Sequence, residues 1–410
     1  MSRINQLRNV NIFPYVQEFS TIPLSIIFTT TAILSWGRDG LSTFIFLQGF
    51  FLIIFGIIVE SSQNIYLSGL CEDRKTLSSA LIKSVLILLS IFSFLTACIN
   101  TYNIVYREFQ LSLYLISLLL SIPAYFYYGL YIGYLRDLGG HSWAIFFGKM
   151  LPILTYLSVF YGVSVSMIGN GLYVVLQAGM LFPIIALLWV AIFRNNFRLV
   201  VVAKKSFKES ALIILPSIIP IVSVQAIFML PYLLGQYDIS ILKIASQFIG
   251  LAALTPLVLY FIKIPHLIKK YKKNELYLSE YSRISLHALI FYVLGYISIL
   301  PLIFLYLDIF EIKMDTVQLI FYTFLYFLMG IFRFIFGPSR VLLNLSKKSG
   351  YIAKYESIGF LSALFFTFFL YYTLDFGNYI IIVLLLMYTL VHSLTKYYFF
   401  TKVTPKLRTY

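Results

Sequence analysis

Two lysines stand inside long stretches that otherwise lack charge: Lys149 in SWAIFFGKMLPILTYLSVFYG and Lys243 in ISILKIASQFIGLAALTPLVLYF. An ammonium among apolar side chains is stabilised chiefly by an anion, so these residues suit the electrostatic capture of a phosphate or a similar group. Gln247, one helical turn beyond Lys243, and Gly250 share its helical face and make that face polar and small. Gln48, Gln177 and Gln225 lie in other uncharged stretches and present amide donors and acceptors of the kind that engage hydroxyl groups. Each is equally suited to pairing with a neighbouring helix. Lys83 and Arg333 sit near the ends of such stretches, where a long side chain reaches water by snorkelling. Arg333 is retained as a third candidate contact for the anion.

Other chemistries find little support. No G-x-x-x-x-G-K-[ST] occurs, so there is no phosphate-cradling loop of a nucleotide motor. His141, His266, His287 and His392 are isolated, without the i, i+4 or Cys-x-x-Cys spacings of a metal site. Cys71 and Cys98 imply no disulfide framework. We therefore expect no catalytic residues, no metal and no cofactor.

The elements that position these residues follow from composition. With 60% hydrophobic and only 11% charged residues and a mean hydropathy of +0.89, the chain cannot clothe a soluble domain. Its solvent is lipid, where only helices and closed barrels satisfy the backbone. The apolar runs are continuous rather than alternating, which selects helices. Lys and Arg collect in every second gap between runs, as in Lys204-Lys205, Lys269-Lys270, Lys272-Lys273 and Lys347-Lys348, and are sparse in the gaps between. This is the positive-inside pattern of a multi-pass protein with both termini in the cytoplasm. The pI of about 9.5 is then a property of loops facing anionic headgroups rather than a nucleic-acid footprint. No cleavable signal peptide is evident at the N-terminus.

Twelve spans are expected, at about 20–37, 41–60, 79–99, 110–134, 143–167, 171–193, 210–234, 239–262, 285–307, 316–336, 353–374 and 378–400. The basic stretch near 194–209 separates two six-helix lobes, residues 1–200 and 201–410, expected to enclose a central cavity. The first run, IPLSIIFTTTAILSWGRDGLSTF, and the seventh, IPIVSVQAIFMLPYLLGQYDISIL, form a weak internal repeat in which Pro23 and Pro220 precede Gly37 and Gly235 at matching distances. Paired proline interruptions mark hinges around a transport site. Prolines are also common in membrane helices generally, and coincidence is the competing account. Tyr125, Tyr127, Tyr128, Tyr131 and Tyr134 could stack on a sugar ring, but an aromatic belt at the membrane surface explains them more simply.

The hairpin GRDGLSTFIFLQGFFLIIFGIIVESSQN and the amphipathic tail of IASQFIGLAALTPLVLYFIKIPHLIKKYKKNE, together with the twelve-run topology, resemble the O-antigen flippases of the multidrug/oligosaccharidyl-lipid/polysaccharide exporter superfamily. The resemblance covers essentially the whole chain. It implies translocation of an undecaprenyl-pyrophosphate-linked oligosaccharide repeat unit across the bacterial inner membrane, by alternating access around a cationic cavity. It also implies the lipid-linked substrate, membrane lipids, a polysaccharide polymerase and a chain-length regulator as partners. The family's first-helix arginines have no counterpart in the first run, whose nearest cation is Arg38, so Lys149 and Lys243 would take that role. Glu60 and Asp39 are the acids an ion-coupled mechanism would use, with a solvated cap as the competing account of Glu60. A drug or metabolite exporter of the same superfamily is the alternative function. A polymerase or ligase is a further one, opposed by the short outer loops.

Overall fold

The computed structural model describes residues 13–67, 79–106, 111–137, 146, 150–164, 171–193, 207–235, 239–273, 275, 278–336, 349–374 and 380–401. Every regular element among them is a helix. The first helical stretch, Phe13–Leu67, is 55 residues long and leaves helical geometry at Gly37, with φ 72° and ψ −179°. A straight helix of that length would extend about 80 Å, far more than the ~30 Å of hydrocarbon. Instead the Phe28 ring lies 5.2 Å from that of Phe44, and Trp36 lies 5.7 Å from Phe44. Sixteen residues apart on one helix, Phe28 and Phe44 would stand about 24 Å apart. The chain therefore turns back at Gly37 and forms two helices, α1 (13–36) and α2 (38–67).

The remaining helices are α3 (Ser79–Tyr106), α4 (Leu111–Asp137), α5 (Leu151–Ser164), α6 (Gly171–Phe193), α7 (Phe207–Leu233), α8 (Ser240–Lys272), α9 (Leu278–Ile309), α10 (Thr316–Ile335), α11 (Ser349–Leu374) and α12 (Ile380–Thr401). Eight described stretches, counting the first hairpin as one, are long and apolar enough to cross a membrane, and parts of α5, α7 and α12 form shorter apolar helices. The protein is thus an all-α, multi-pass membrane protein with twelve helices among the described residues. Most of the expected spans coincide with helices to within a few residues. The largest departure is α8, which continues about ten residues beyond its expected end as a polar tail.

The chain divides into two compact units, Met1–Ile214 and Leu215–Tyr410. In unit 1, α4 packs against the α1–α2 hairpin, α3 and α6, while α6 also meets α3 and α5. Because α4 is covered on several faces, Tyr125, Tyr127, Tyr128 and Tyr131 are all buried, at 3–5% exposure. Tyr127, Tyr128 and Tyr131 form a core with Leu86, Phe182 and Leu187. The surface belt expected from sequence is therefore corrected: these tyrosines point inward. The side chain of Tyr134 lies outside the described residues. Gly129 permits the approach that buries them, since a Cβ there would stand 2.5 Å from the Val59 carbonyl oxygen of α2. Polar ties join α3 to α4: Ser93 Oγ donates to the Ser117 carbonyl at 3.0 Å, and Ser117 Oγ to Thr96 Oγ1 at 2.9 Å.

In unit 2, α9 packs on α8 and α10, α8 packs on α10, α11 pairs with α12, and α12 reaches α10. The helices α8 and α9 run antiparallel in close contact at Gly295, where a Cβ would stand 2.7 Å from the Ala252 carbonyl oxygen. Asp315 caps α10, its carboxylate accepting from the Val317 and Gln318 N–H groups at 2.9 and 3.2 Å. At the other end of α10, Tyr260 Oη donates to the Phe334 carbonyl at 3.2 Å and Tyr281 Oη to the Phe336 carbonyl at 2.6 Å. These hydroxyls satisfy terminal carbonyls that have no intrahelical donor.

The internal repeat has a backbone counterpart. Gly37 after α1 and Gly235 after α7 are the positive-φ glycines of the described residues, at 72° and 90°. Each closes the first helix of its unit, in the left-handed region that glycine adopts without steric cost.

Gly295→Val meets backbone rather than a movable side chain, so α8 and α9 must separate. We expect a loss of about 1–3 kcal/mol, read as a lower melting temperature of the detergent-solubilised protein. The matched control is Gly162→Val, where a Cβ finds nothing within 4 Å. Equal melting temperatures for the two variants would refute the close α8–α9 contact.

Candidate transport site

In unit 1 Gln48 meets a cluster of aromatic rings. Gln48 of α2 hydrogen-bonds the Tyr156 side chain of α5. The Tyr156 ring lies 5.6 Å from Phe28 and 5.8 Å from Phe44, and Trp36 lies 5.1 Å from Phe160. Gln177 of α6 is 2% exposed, and its Oε1 accepts from Thr101 Oγ1 at 2.8 Å. Its Nε2 is buried without a hydrogen-bond partner. Gln48 and Gln177 thus both make the helix-to-helix pairings that sequence left open beside a substrate role.

Tyr125 answers a defect that Pro183 creates. A proline in mid-helix leaves the carbonyl four residues earlier without its N–H donor, and in α6 that carbonyl belongs to Gly179. Tyr125 Oη lies 3.3 Å from the carbonyl oxygens of both Gly179 and Met180. The close approach needs a small residue nearby, and Gly179 also makes room for Tyr156, whose Oη would stand 2.2 Å from a Cβ there.

The acids expected in this unit are peripheral. Asp39 and Glu60 are exposed at the hairpin turn and near the end of α2, and the Asp39 carbonyl accepts from Thr43 Oγ1 at 3.0 Å. Arg38, between Gly37 and Asp39, is half-buried. Helix α1 runs through Pro23, which is exposed, and the departure from helical geometry falls at Gly37. Lys149 and His141 lie outside the described residues, as do the side chains of Lys83, Pro220 and His392.

Unit 2 holds the described intramembrane lysine. Lys243 is half-buried in the first turn of α8, with Leu242, Ile244 and Ala245 buried on either side. Its Nζ lies over the Phe228 ring of α7, 5.7 Å from the centroid. Gln225, half-buried, stands three residues before Phe228 and so on the same face of α7. Gln247, 8% exposed, follows Lys243 by one turn on α8. Lys243, Phe228, Gln225 and Gln247 therefore form one neighbourhood. Arg333 does not join it: it is exposed in the last turn of α10, 6.0 Å from the Phe334 ring and within electrostatic reach of Tyr260 and Tyr292. Tyr260 lies seventeen residues along α8 from Lys243, roughly 26 Å away.

One residue escaped the sequence reading. Glu356 of α11 is 7% exposed and lies within electrostatic reach of Tyr388 of α12, whose side chain hydrogen-bonds Ser223 of α7. The available signal was its position inside the apolar run 353–374, close enough to the run's start to pass for a loop acid.

No protein-family model matches the chain, and no curated protein sequence matches it. Solved structures do. The lipid II flippase MurJ, in an inward closed conformation, superposes with a TM-score of 0.62 at 15% identity, covering 96% of this chain and 90% of that one. A multidrug resistance MATE family transporter of the MOP superfamily, inward-facing, gives 0.59 at 12% identity over 94% and 95%. The MATE multidrug transporter DinF-BH gives 0.59 at 13% identity over 96% and 95%. The chain shares its fold with these transporters and this flippase.

Replacing Tyr125 by Phe leaves the Gly179 carbonyl unsatisfied in an apolar core, at a cost of about 1–3 kcal/mol. The variant should melt several degrees below wild type in detergent. Double substitution with Pro183→Ala, which restores the backbone donor, should recover most of the loss; no recovery would assign Tyr125 some other role.

Proposed function

We propose that the chain is a flippase that moves undecaprenyl-pyrophosphate-linked O-antigen or other polysaccharide repeat units from the cytoplasmic to the periplasmic face of the bacterial inner membrane by alternating access. The observation that carries this reading is Lys243. A cation within an apolar span is unfavourable, and one in the first turn of a helix also faces the positive end of the helix dipole. An anion relieves both. The polar neighbours Gln225 and Gln247 suit the hydroxyl and amide groups of a sugar attached to that anion. The likeness to a lipid II flippase over nearly the whole chain supports a substrate of the same chemical build, a sugar on a lipid-linked headgroup. Lys149 is proposed as the corresponding cation of unit 1. Arg333 and Gln48 stay as candidate contacts on other parts of the substrate's course, and the polymerase and chain-length regulator of polysaccharide assembly as partners.

A second reading, export of a drug or metabolite, is favoured by Glu356. A buried carboxylate beside Tyr388 suits a cationic ligand or a coupling ion, which exposed Glu60 and Asp39 suit less.

Deletion of the gene in its source bacterium, complemented by variants, separates the two readings. With Lys243→Ala we expect at least a tenfold fall in surface polysaccharide, accumulation of lipid-linked units on the cytoplasmic face and normal protein abundance, with Lys243→Arg largely active. Wild-type polysaccharide from Lys243→Ala would remove the anion-binding argument. If the deletion leaves polysaccharide intact but sensitises cells to cationic dyes, and Glu356→Gln reproduces that sensitivity, the exporter reading holds instead.

A further inference from the structure

The polar tail of α8 builds a feature that the transport readings do not use. The register between α8 and α9 follows from three contacts: Ala252 meets Gly295, Tyr260 bonds Ser285, and His266 Nε2 lies 3.4 Å from Glu280 Oε1. The paired numbers sum to nearly the same value, so Lys263 of α8 and Arg283 of α9 stand at one level. Both are exposed. That level lies about one turn beyond Tyr260, where the apolar span of α8 ends.

The acids nearby do not cancel these two charges. Glu280 is already engaged, its Oε2 accepting from Lys270 Nζ at 2.7 Å while Oε1 faces His266. Glu275 sits in the turn closed by its N–H to the Lys270 carbonyl at 2.9 Å. The Lys270 it bonds is seven residues along α8 from Lys263, roughly 10 Å farther out, beyond the Debye length of about 8 Å at physiological salt.

Below Arg283 the same face of α9 is apolar and open. Leu286, Ile290, Leu294 and Ile297 recur at helical spacing and all are exposed. The eleven helical steps from Leu286 to Ile297 span about 16 Å, half of the ~30 Å hydrocarbon and so the depth of one leaflet. Two cations at headgroup level above an apolar track one acyl chain long are complementary to a lipid that carries a negative phosphodiester.

We propose that α8 and α9 form a binding site for an anionic phospholipid, its headgroup against Lys263 and Arg283 and an acyl chain along Leu286, Ile290, Leu294 and Ile297. The site depends on the membrane fold and not on the flippase reading. It ties a resident lipid to the α8–α9 hairpin.

The test is native mass spectrometry of the full-length protein in detergent, titrated with phosphatidylglycerol and, separately, phosphatidylcholine. Attraction of two interfacial cations sets the preference for phosphatidylglycerol at up to about thirtyfold. Lys263→Gln combined with Arg283→Gln should reduce the two lipids to parity without lowering the melting temperature in lipid-free detergent. Lys313→Gln, which removes an exposed cation from the α9–α10 connection, should keep the wild-type preference. The proposal is overturned if wild type shows no preference or if the double variant retains it. It is also overturned if soluble glycerophosphoglycerol competes as well as the lipid, which would make this a phosphate site. Displacement of phosphatidylglycerol by equimolar undecaprenyl phosphate would overturn it too, by assigning the face to the transported carrier.

Discussion

The backbone in hydrocarbon has no water to bond with, and that constraint organises this protein more than any other. Each span is a helix because helices satisfy their own N–H and C=O groups. Where a helix fails to do so, a side chain from its neighbour intervenes. Tyr125 reaches the carbonyl that Pro183 deprives of a donor, and Tyr260 and Tyr281 reach the last carbonyls of α10. Hydroxyls within the spans follow the same rule: Thr30, Thr155, Thr323 and Thr367 each donate to the carbonyl four residues back. Such bonds hide a polar group at little cost.

Close packing is the second consequence. Lipid tails offer no hydrophobic gain for helix association, so contact area and small residues decide it. Gly129 against Val59 and Gly295 against Ala252 let backbones touch, and Gly179 and Gly330 receive the hydroxyl ends of Tyr156 and Tyr292. The tyrosines of α4 owe their burial to this arrangement. Sequence placed them on a membrane-surface belt because a Tyr-rich helix end has that composition; what decided otherwise was how many helices surround α4, which no local pattern encodes. The twelve runs, by contrast, were legible because hydropathy depends on the helix alone. So was the repeat, since Gly37 and Gly235 need a backbone conformation that only glycine adopts readily.

The candidate site was legible in part for a similar reason. An intramembrane lysine announces itself, and Lys243 is where an unusual charge should be. Its company was not foreseeable: the Phe228 ring comes from another helix, and Arg333, grouped with it on charge alone, sits at the far end of α8's packing partner. Glu356 was passed over because an acid seven residues into a helix reads as a loop residue until α12 is seen to bring Tyr388 to it. Residue type marks where charge is costly. Only the packing decides which neighbours offset it.

Magnitudes indicate what Lys243 lacks. An ammonium at mid-membrane costs about 2.5–3.5 kcal/mol on the lenient insertion scale. Its place in the first turn of α8 lowers that figure by shortening the path to the headgroups, but the helix dipole restores some of it, on the order of 0.3–1 kcal/mol for a cation at the positive end. A cation–π contact at 5.7 Å returns about 0.5–2 kcal/mol. The Phe228 ring therefore stabilises Lys243 without neutralising it. A charge-paired lysine would be satisfied at rest and slow to exchange partners; one resting on an aromatic face keeps its charge available to an anion that must also be let go. A residue balanced in this way suits a site that binds and releases within a transport cycle better than one that holds the fold together.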